Sequence, residues 1–187
     1  AKLLIENRLK EFGKSNQLEL LSINPNEKIL FENFELEFLN TTHSIPEPYS
    51  ILINTSYGKL LHTADWKIDN NPIIGEGFDD QSFKDIGEEG LLALIGDSTN
   101  ADIPGHSRSE LEVKKELIRL FSHYNNRIII TCFSSNIARM ESIAVAAKKN
   151  NRKVALIGRS IKKTIEAASK IGIIKELDNF IDEQEAT

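Results

Sequence analysis

The sequence predicts an α/β fold, and three observations lead there. The first 96 residues are rich in short apolar runs separated by turn residues, the pattern of strands and hairpins. The residues after them alternate continuous apolar runs with amphipathic stretches, the pattern of strand–helix units. Three apolar runs, FELEFLNTTH, KLLHTAD and LLALIGD, run out into His43, Asp65 and Asp97. In layered α/β folds, functional side chains gather at the carboxyl ends of strands.

Taken in order, Leu3, Leu4, Ile5, Leu9 and Phe12 lie close to helical spacing, so the opening residues are expected to form an amphipathic helix rather than a secretory leader. LELLSINPNEKILFENFELEFLN predicts three strands with turns at NPNE and EN, and Phe34, Leu36 and Phe38 alternate as in a half-buried strand. YSILINTSYGKLLHTAD predicts a hairpin turning at Tyr57-Gly58, with Ile51, Ile53, Leu60 and Leu61 as its apolar positions. Residues 66–90 are polar and Gly/Asp-rich, which predicts a long surface excursion with at most a short helix near Phe83–Gly87 and Asp69 on the surface.

After LLALIGD the period changes. Ser109 with Glu112 forms a capping-box signal opening a helix to about Ser122. RIIITCF predicts a buried strand, NIARMESIAVAAKKNN a helix, KVALIG a strand and SIKKTIEAASKIGII a helix. Such alternation predicts a parallel sheet covered on both faces. The turn-rich stretch DSTNADIPGHSR, residues 97–108, marks the expected junction between two domains, 1–96 and 97–187.

Composition narrows the class. At 187 residues, 40% hydrophobic and 27% charged, the chain has the make-up of a soluble globular protein. It holds no apolar run near the roughly 18 residues a membrane span needs. The single cysteine, Cys132, rules out an internal disulfide, fits a reducing compartment and lies inside an apolar run, so it is expected in the core. Residues 106–175 hold 15 Lys and Arg against 5 Asp and Glu, while the remainder holds 8 against 23. This asymmetry predicts either a polyanion partner on one side or lysine-rich, solvated helix faces.

His43, in TTHSIPE, is a candidate zinc ligand at a strand end, or a hydrogen-bonded surface histidine. Asp65 can bridge two cations and so polarise a shared water, or it can simply start a turn. His62 points to the opposite face from Asp65 in a regular strand and is expected to be a supporting or core residue rather than a ligand. Asp97, in GDSTNADIPG, either orients a metal ligand or relays a proton, or serves a local turn. A two-metal centre needs about six ligands, and the chain has four histidines and no His-x-His pair, so the set is expected to be incomplete. CFSSN (132–136) and IGRS (157–160) are strand-to-helix corners where backbone N–H groups favour phosphate, and Arg159 adds a planar cation. Alternatively, Ser135 and Ser160 are only N-caps. No P-loop or G-x-G-x-x-G occurs, so no nucleotide cofactor is expected.

Read together, TTHSIPE, LLHTADWKID, GDSTNADIPGHSRSE, FSSN and RKVALIGRS resemble, in this order and spacing, the ribonuclease J family. These are bacterial nucleases of the metallo-β-lactamase fold with an inserted β-CASP domain. The resemblance implies that residues 1–96 are the second part of a metallo-β-lactamase αβ/βα sandwich. It implies that residues 97–187 are the first part of a β-CASP domain with a parallel sheet. His43 would be a metal ligand, Asp65 the metal-bridging aspartate and Asp97 the acidic residue of the first β-CASP motif. Ser135, Asn136, Arg159 and Ser160 would fall in the region that binds RNA phosphates. The implied parent is a cytoplasmic, homo-oligomeric, two-zinc ribonuclease with 5′–3′ exonuclease and endonuclease activity, acting on single-stranded RNA and bound to no membrane. The family's His-x-His-x-Asp-His motif is expected before residue 1 and its later histidine motifs after residue 187. These 187 residues alone are therefore expected to be inactive and to hold zinc weakly or not at all. Two departures stand out: Ala64 where the family usually has glycine, and Trp66 where it commonly has phenylalanine. His106 carries no role. Two other functions fit parts of the pattern: a non-catalytic RNA-binding or assembly module, and a small-molecule hydrolase of the metallo-β-lactamase fold. The strand–helix segment after Asp97 argues against the second, since a small substrate needs no clamp.

Overall fold

The structure is a computed structural model that describes residues 1–14 and 18–186. It is α/β, as expected. Five strands, β1 (Lys28–Leu30), β2 (Phe34–Asn40), β3 (Tyr49–Thr55), β4 (Gly58–His62) and β5 (Ala93–Ile95), form one sheet in that order. The β1–β2, β2–β3 and β3–β4 junctions are antiparallel and β4–β5 is parallel. It follows that β2, β4 and β5 run in one direction and finish at one edge of the sheet.

The β3–β4 hairpin turns through Ser56–Tyr57, because Thr55 pairs directly with Gly58. The turn thus falls one residue earlier than expected. Gly58 is fixed there by its φ of 140° and by Leu92, whose Cβ would lie 3.1 Å from any Cβ at this position. Residues 18–24 form no strand, contrary to expectation. They pair with no strand among the described residues.

Residues 66–90 are less of a surface excursion than their polarity suggests. Asp79 accepts from the Ser82 N–H at 3.2 Å and opens a ten-residue helix, α2 (Asp80–Glu89). Its Ile86 is buried against Leu39, Leu52 and Leu61, with Phe83 and Leu91 packed alongside. The helix therefore covers the sheet face that carries Leu39. Phe34, Leu36 and Phe38 alternate on the opposite face, which is only partly buried.

The remaining chain centres on α4 (Ile137–Lys149), nine of whose residues are buried. Ile137 and Met140 pack with Ile174 and with Ile165 and Ala168 of α5 (Arg159–Lys170). Farther along, Ile143, Ala146 and Ala147 meet Phe121 of α3 (Glu110–Phe121). The small alanines let α3 approach closely. α3 begins where the capping signal placed it, with Ser109 Oγ accepting from the Leu111 N–H at 3.1 Å. The first helix, α1 (Lys2–Glu11), forms as expected but buries no residue. It is tethered by the ion pairs Lys163–Glu11 and Ala1–Glu47.

The expected parallel sheet of this region is reduced. β6 (Val154–Ala155) pairs in parallel with β7 (Phe180–Ile181), the latter preceded by a short 3₁₀ turn at Leu177–Asn179. RIIITCF is not a strand: residues 127–133 carry no strand pairing, and Ile129 and Phe133 are 86% and 84% exposed. An apolar run becomes a buried strand only when neighbours satisfy its backbone on both sides, and no strand pairs with it among the described residues. Only Ile128 and Cys132 turn into the core, where burial pushes the Cys132 thiol pKa up.

Candidate active site at the strand ends

His43, Asp65 and Asp97 follow β2, β4 and β5 by two or three residues, all beyond the same sheet edge. Local bonds tie the three segments together. Thr42, beside His43, pairs with Lys67, whose N–H donates to the Thr42 carbonyl at 2.8 Å. The Thr42 hydroxyl donates to the Lys67 carbonyl and accepts from the Asp69 N–H. Thr63, just past β4, donates its N–H to the Ile95 carbonyl at 3.0 Å and accepts the Asp97 N–H on Oγ1 at 3.0 Å. The Trp66 indole donates to the Asp97 carbonyl at 3.3 Å.

Within this frame the three candidates differ. Asp65 is exposed, and its carboxylate has no hydrogen bond or ion pair among the described residues. It sits after Ala64, whose φ of 53° is in the left-handed region. That conformation suits glycine and costs other residues about 1 kcal/mol or more. The turn is held by His62, whose Nδ1 accepts the Ala64 N–H at 3.0 Å. His62 is itself exposed, so it is a turn-supporting residue and not a core one. His43 is partly buried, with Nδ1 3.5 Å from Ser44 Oγ. Asp97 does form the local turn: its Oδ1 accepts the Thr99 N–H at 2.9 Å and the Thr99 hydroxyl at 2.6 Å. These two bonds hold its carboxyl below the usual range, with a smaller attraction from His43. Among the described residues no three His, Cys, Asp or Glu side chains come together as a metal-binding group. A catalytic zinc takes at least three protein ligands, so this donor set alone does not make a complete centre.

The two segments that lead into α4 and α5 meet. Ser134 Oγ lies 2.9 Å from Ser160 Oγ. Asn136, not Ser135, caps α4, accepting the Arg139 N–H at 2.9 Å. Gly158, not Ser160, precedes α5, whose first turn has no side-chain cap. Ser135 and Ser160 are thus exposed hydroxyls at helix starts and not caps, and Arg159 is exposed with no ion pair among the described residues. Several other cations of the basic segment are engaged within the chain, as in Lys148–Glu176, Lys162–Glu183 and Lys170–Glu166.

Between the strand ends and the corners lies a group that sequence reasoning missed. Asp69, expected at the surface, is only 2% exposed. Burial raises its pKa, but the Glu110 and Asn71 N–H groups, with Ser109 and Lys67, outweigh that and hold it below its usual value. Lys67 bridges Asp69 and Glu110, and Arg139 bonds Glu110. The signal available in the sequence was weak: an Asp and a Glu separated by 41 positions become partners only through the fold.

The chain is similar to several known proteins. Residues 125–187 match the family model described as ribonuclease J, beta-CASP domain. Over 178 residues, 95% of the chain, it is 41% identical to the Ribonuclease J of Synechocystis sp. and covers 28% of that protein. It is 38% identical to the Ribonuclease J of Thermus thermophilus, covering 95% of this chain and 31% of that one. It is 35% identical to the Ribonuclease J2 of Bacillus subtilis, covering 97% of this chain and 33% of that one. The chain thus spans about a third of the length of these curated relatives. In fold it matches a crystal structure of a protein of unknown function from Enterococcus faecalis V583, with a TM-score of 0.60 at 18% identity over 92% of this chain and 43% of that one.

Proposed function

We propose that this chain, which belongs to the ribonuclease J family, carries part of the catalytic centre and part of the RNA-binding cleft of a metal-dependent ribonuclease. In this reading residues 1–96 belong to the metallo-β-lactamase-like domain and residues 97–187 to the β-CASP domain. His43 and Asp65 are two of the donors of a two-zinc centre, whose other ligands come from outside these 187 residues. The metal would supply an activated water for attack on a phosphodiester. The chain's own part is to orient: the Ala64 turn presents Asp65, and Asp97 holds the junction, its carboxylate drawn weakly by the charge of His43. Ser135, Asn136, Arg159 and Ser160 receive backbone phosphates of single-stranded RNA, and a 5′-monophosphate, with its extra charge, engages Arg159 more strongly than an internal phosphate does.

The observation that carries this reading is the common direction of β2, β4 and β5, which brings His43, Asp65 and Asp97 to one sheet edge. An exposed carboxylate with no internal partner, as at Asp65, is available to an external ligand. The pairing of Lys148, Lys162 and Lys170 with nearby glutamates disfavours a purely electrostatic RNA-binding module. We further propose that the parent works in the cytoplasm as a homo-oligomer, with both exonuclease and endonuclease action; no helix of the described residues is long and apolar enough to cross a membrane. The test is hydrolysis of 5′-monophosphorylated single-stranded RNA by the full-length ribonuclease and its Asp65→Asn variant. Loss of hydrolysis with RNA binding retained is expected; near-normal hydrolysis would return Asp65 to a turn residue.

A further inference from the structure

Four side chains from three separate segments form one buried ionic group. Lys67 Nζ lies 3.2 Å from Asp69 Oδ2 and 3.4 Å from Glu110 Oε1. The Glu110 N–H donates to Asp69 Oδ2 at 3.0 Å. Arg139 grips Glu110 with two bonds, Nε to Oε2 at 3.2 Å and Nη2 to Oε1 at 3.1 Å. The side chains of Asp69 and Glu110 are almost fully buried, at 1% and 6% exposure.

Such a group is a poor source of stability, because desolvating the charges offsets most of their attraction. What it fixes well is geometry, since a planar guanidinium bonded twice to one carboxylate has little freedom. Each end of the group leads to a different part of the candidate site. Lys67 sits two residues after Asp65, and its backbone pairs with Thr42 beside His43. Arg139 donates its N–H to Asn136, the cap of α4, which follows the Ser134–Ser135 corner. Among the described residues, Glu110 is the one bonded to both ends.

We propose that Glu110 is a positioning residue: through Lys67 it holds the Asp65 turn, and through Arg139 it holds the start of α4, so that the two keep one spacing. RNA that reaches from the phosphate corner to the strand ends then meets a preset distance and need not order the two parts on binding. This inference rests on the reading that both parts serve one RNA site.

The test combines a distance with kinetics. Spin labels are placed at Asn70→Cys and Phe133→Cys in this chain, with Cys132→Ala, so that one label sits on each side of the group. Glu110→Gln is expected to lengthen and broaden the interlabel distance distribution while circular dichroism stays that of the unsubstituted chain. Arg139→Gln is expected to do the same, and the double substitution to add nothing, since both break one link. In the full-length ribonuclease, Glu110→Gln is expected to raise KM for an RNA spanning both parts about tenfold, with a smaller change in kcat. An unchanged distance distribution in a folded Glu110→Gln chain overturns the proposal whatever hydrolysis does. If Glu110→Gln does not fold, Arg139→Gln decides in the same way. A distance shift without RNA hydrolysis by the unsubstituted ribonuclease leaves Glu110 as the spacer and overturns the functional reading instead.

Discussion

Thr63 Oγ1 accepts the backbone N–H of Asp97 at 3.0 Å, joining the end of β4 to the end of β5. The same hydroxyl donates to the Ala64 carbonyl at 2.8 Å, within the turn that presents Asp65. One buried side chain therefore links the backbone of Asp97 to the turn that carries Asp65. Thr63→Val keeps the shape but leaves the Asp97 N–H and the Ala64 carbonyl without that partner. A loss of about 1–3 kcal/mol is expected for a buried group left unpaired. Urea denaturation of the variant and the unsubstituted chain checks it; an unchanged midpoint at equal slope would mean that water replaces the hydroxyl.

The Ala64 turn gives a second expectation. A β-branched side chain tolerates positive φ poorly, so Ala64→Val should cost about 1–3 kcal/mol. In the full-length ribonuclease it should also depress hydrolysis, because the turn carries Asp65. Ala64→Gly, which suits the observed φ, should keep both stability and activity near those of the parent. Equal behaviour of the two variants in thermal melts and RNA turnover would show that the turn does not depend on this residue.

Asp69 is expected to make the stability of the chain acid-sensitive. Its folded-state pKa lies below its ordinary value, so its contribution is complete above about pH 4 and is lost as pH falls through the lowered value. Asp69→Asn should lower stability at neutral pH and flatten its fall in acid. Melting temperatures from pH 7 down to pH 3 measure both; parallel curves for the variant and its parent would contradict this linkage.

Metal content is expected to separate the chain from its proposed parent. With His43 and Asp65 as the two residues proposed to ligate metal, the purified 187-residue chain is expected to keep no stoichiometric zinc through dialysis against a mild chelator. Elemental analysis is decisive, and one or two retained zinc ions per chain would show that the ligand set is fuller than proposed.

At the phosphate corner, Arg159→Ala in the full-length ribonuclease should slow degradation from a 5′-monophosphate end about tenfold to a hundredfold, the worth of one charge-assisted contact. Internal cleavage should be spared. Competing RNA substrates with monophosphate and hydroxyl 5′ ends give the ratio directly, and equal slowing of both would remove the pocket.

The α/β class, the hairpin, α3, α4 and α5 were legible in the sequence because each is a local pattern: alternation, a turn dipeptide, a capping serine, an apolar period. The strand-end positions of His43, Asp65 and Asp97 were legible for the same reason, since each is simply where an apolar run stops. Long-range pairing had to decide the rest. It brought β2, β4 and β5 into one direction, and it turned α2 onto the sheet through Ile86. Residues 127–133 were left without a ladder, since an apolar run does not name its neighbours. Caps passed to Asn136 and Gly158 because helix starts depend on which backbone groups the corner leaves free. The Lys67–Asp69–Glu110–Arg139 group was invisible for the strongest reason. In one dimension these are ordinary surface residue types, and only when three segments close over them does desolvation make the pairing obligatory.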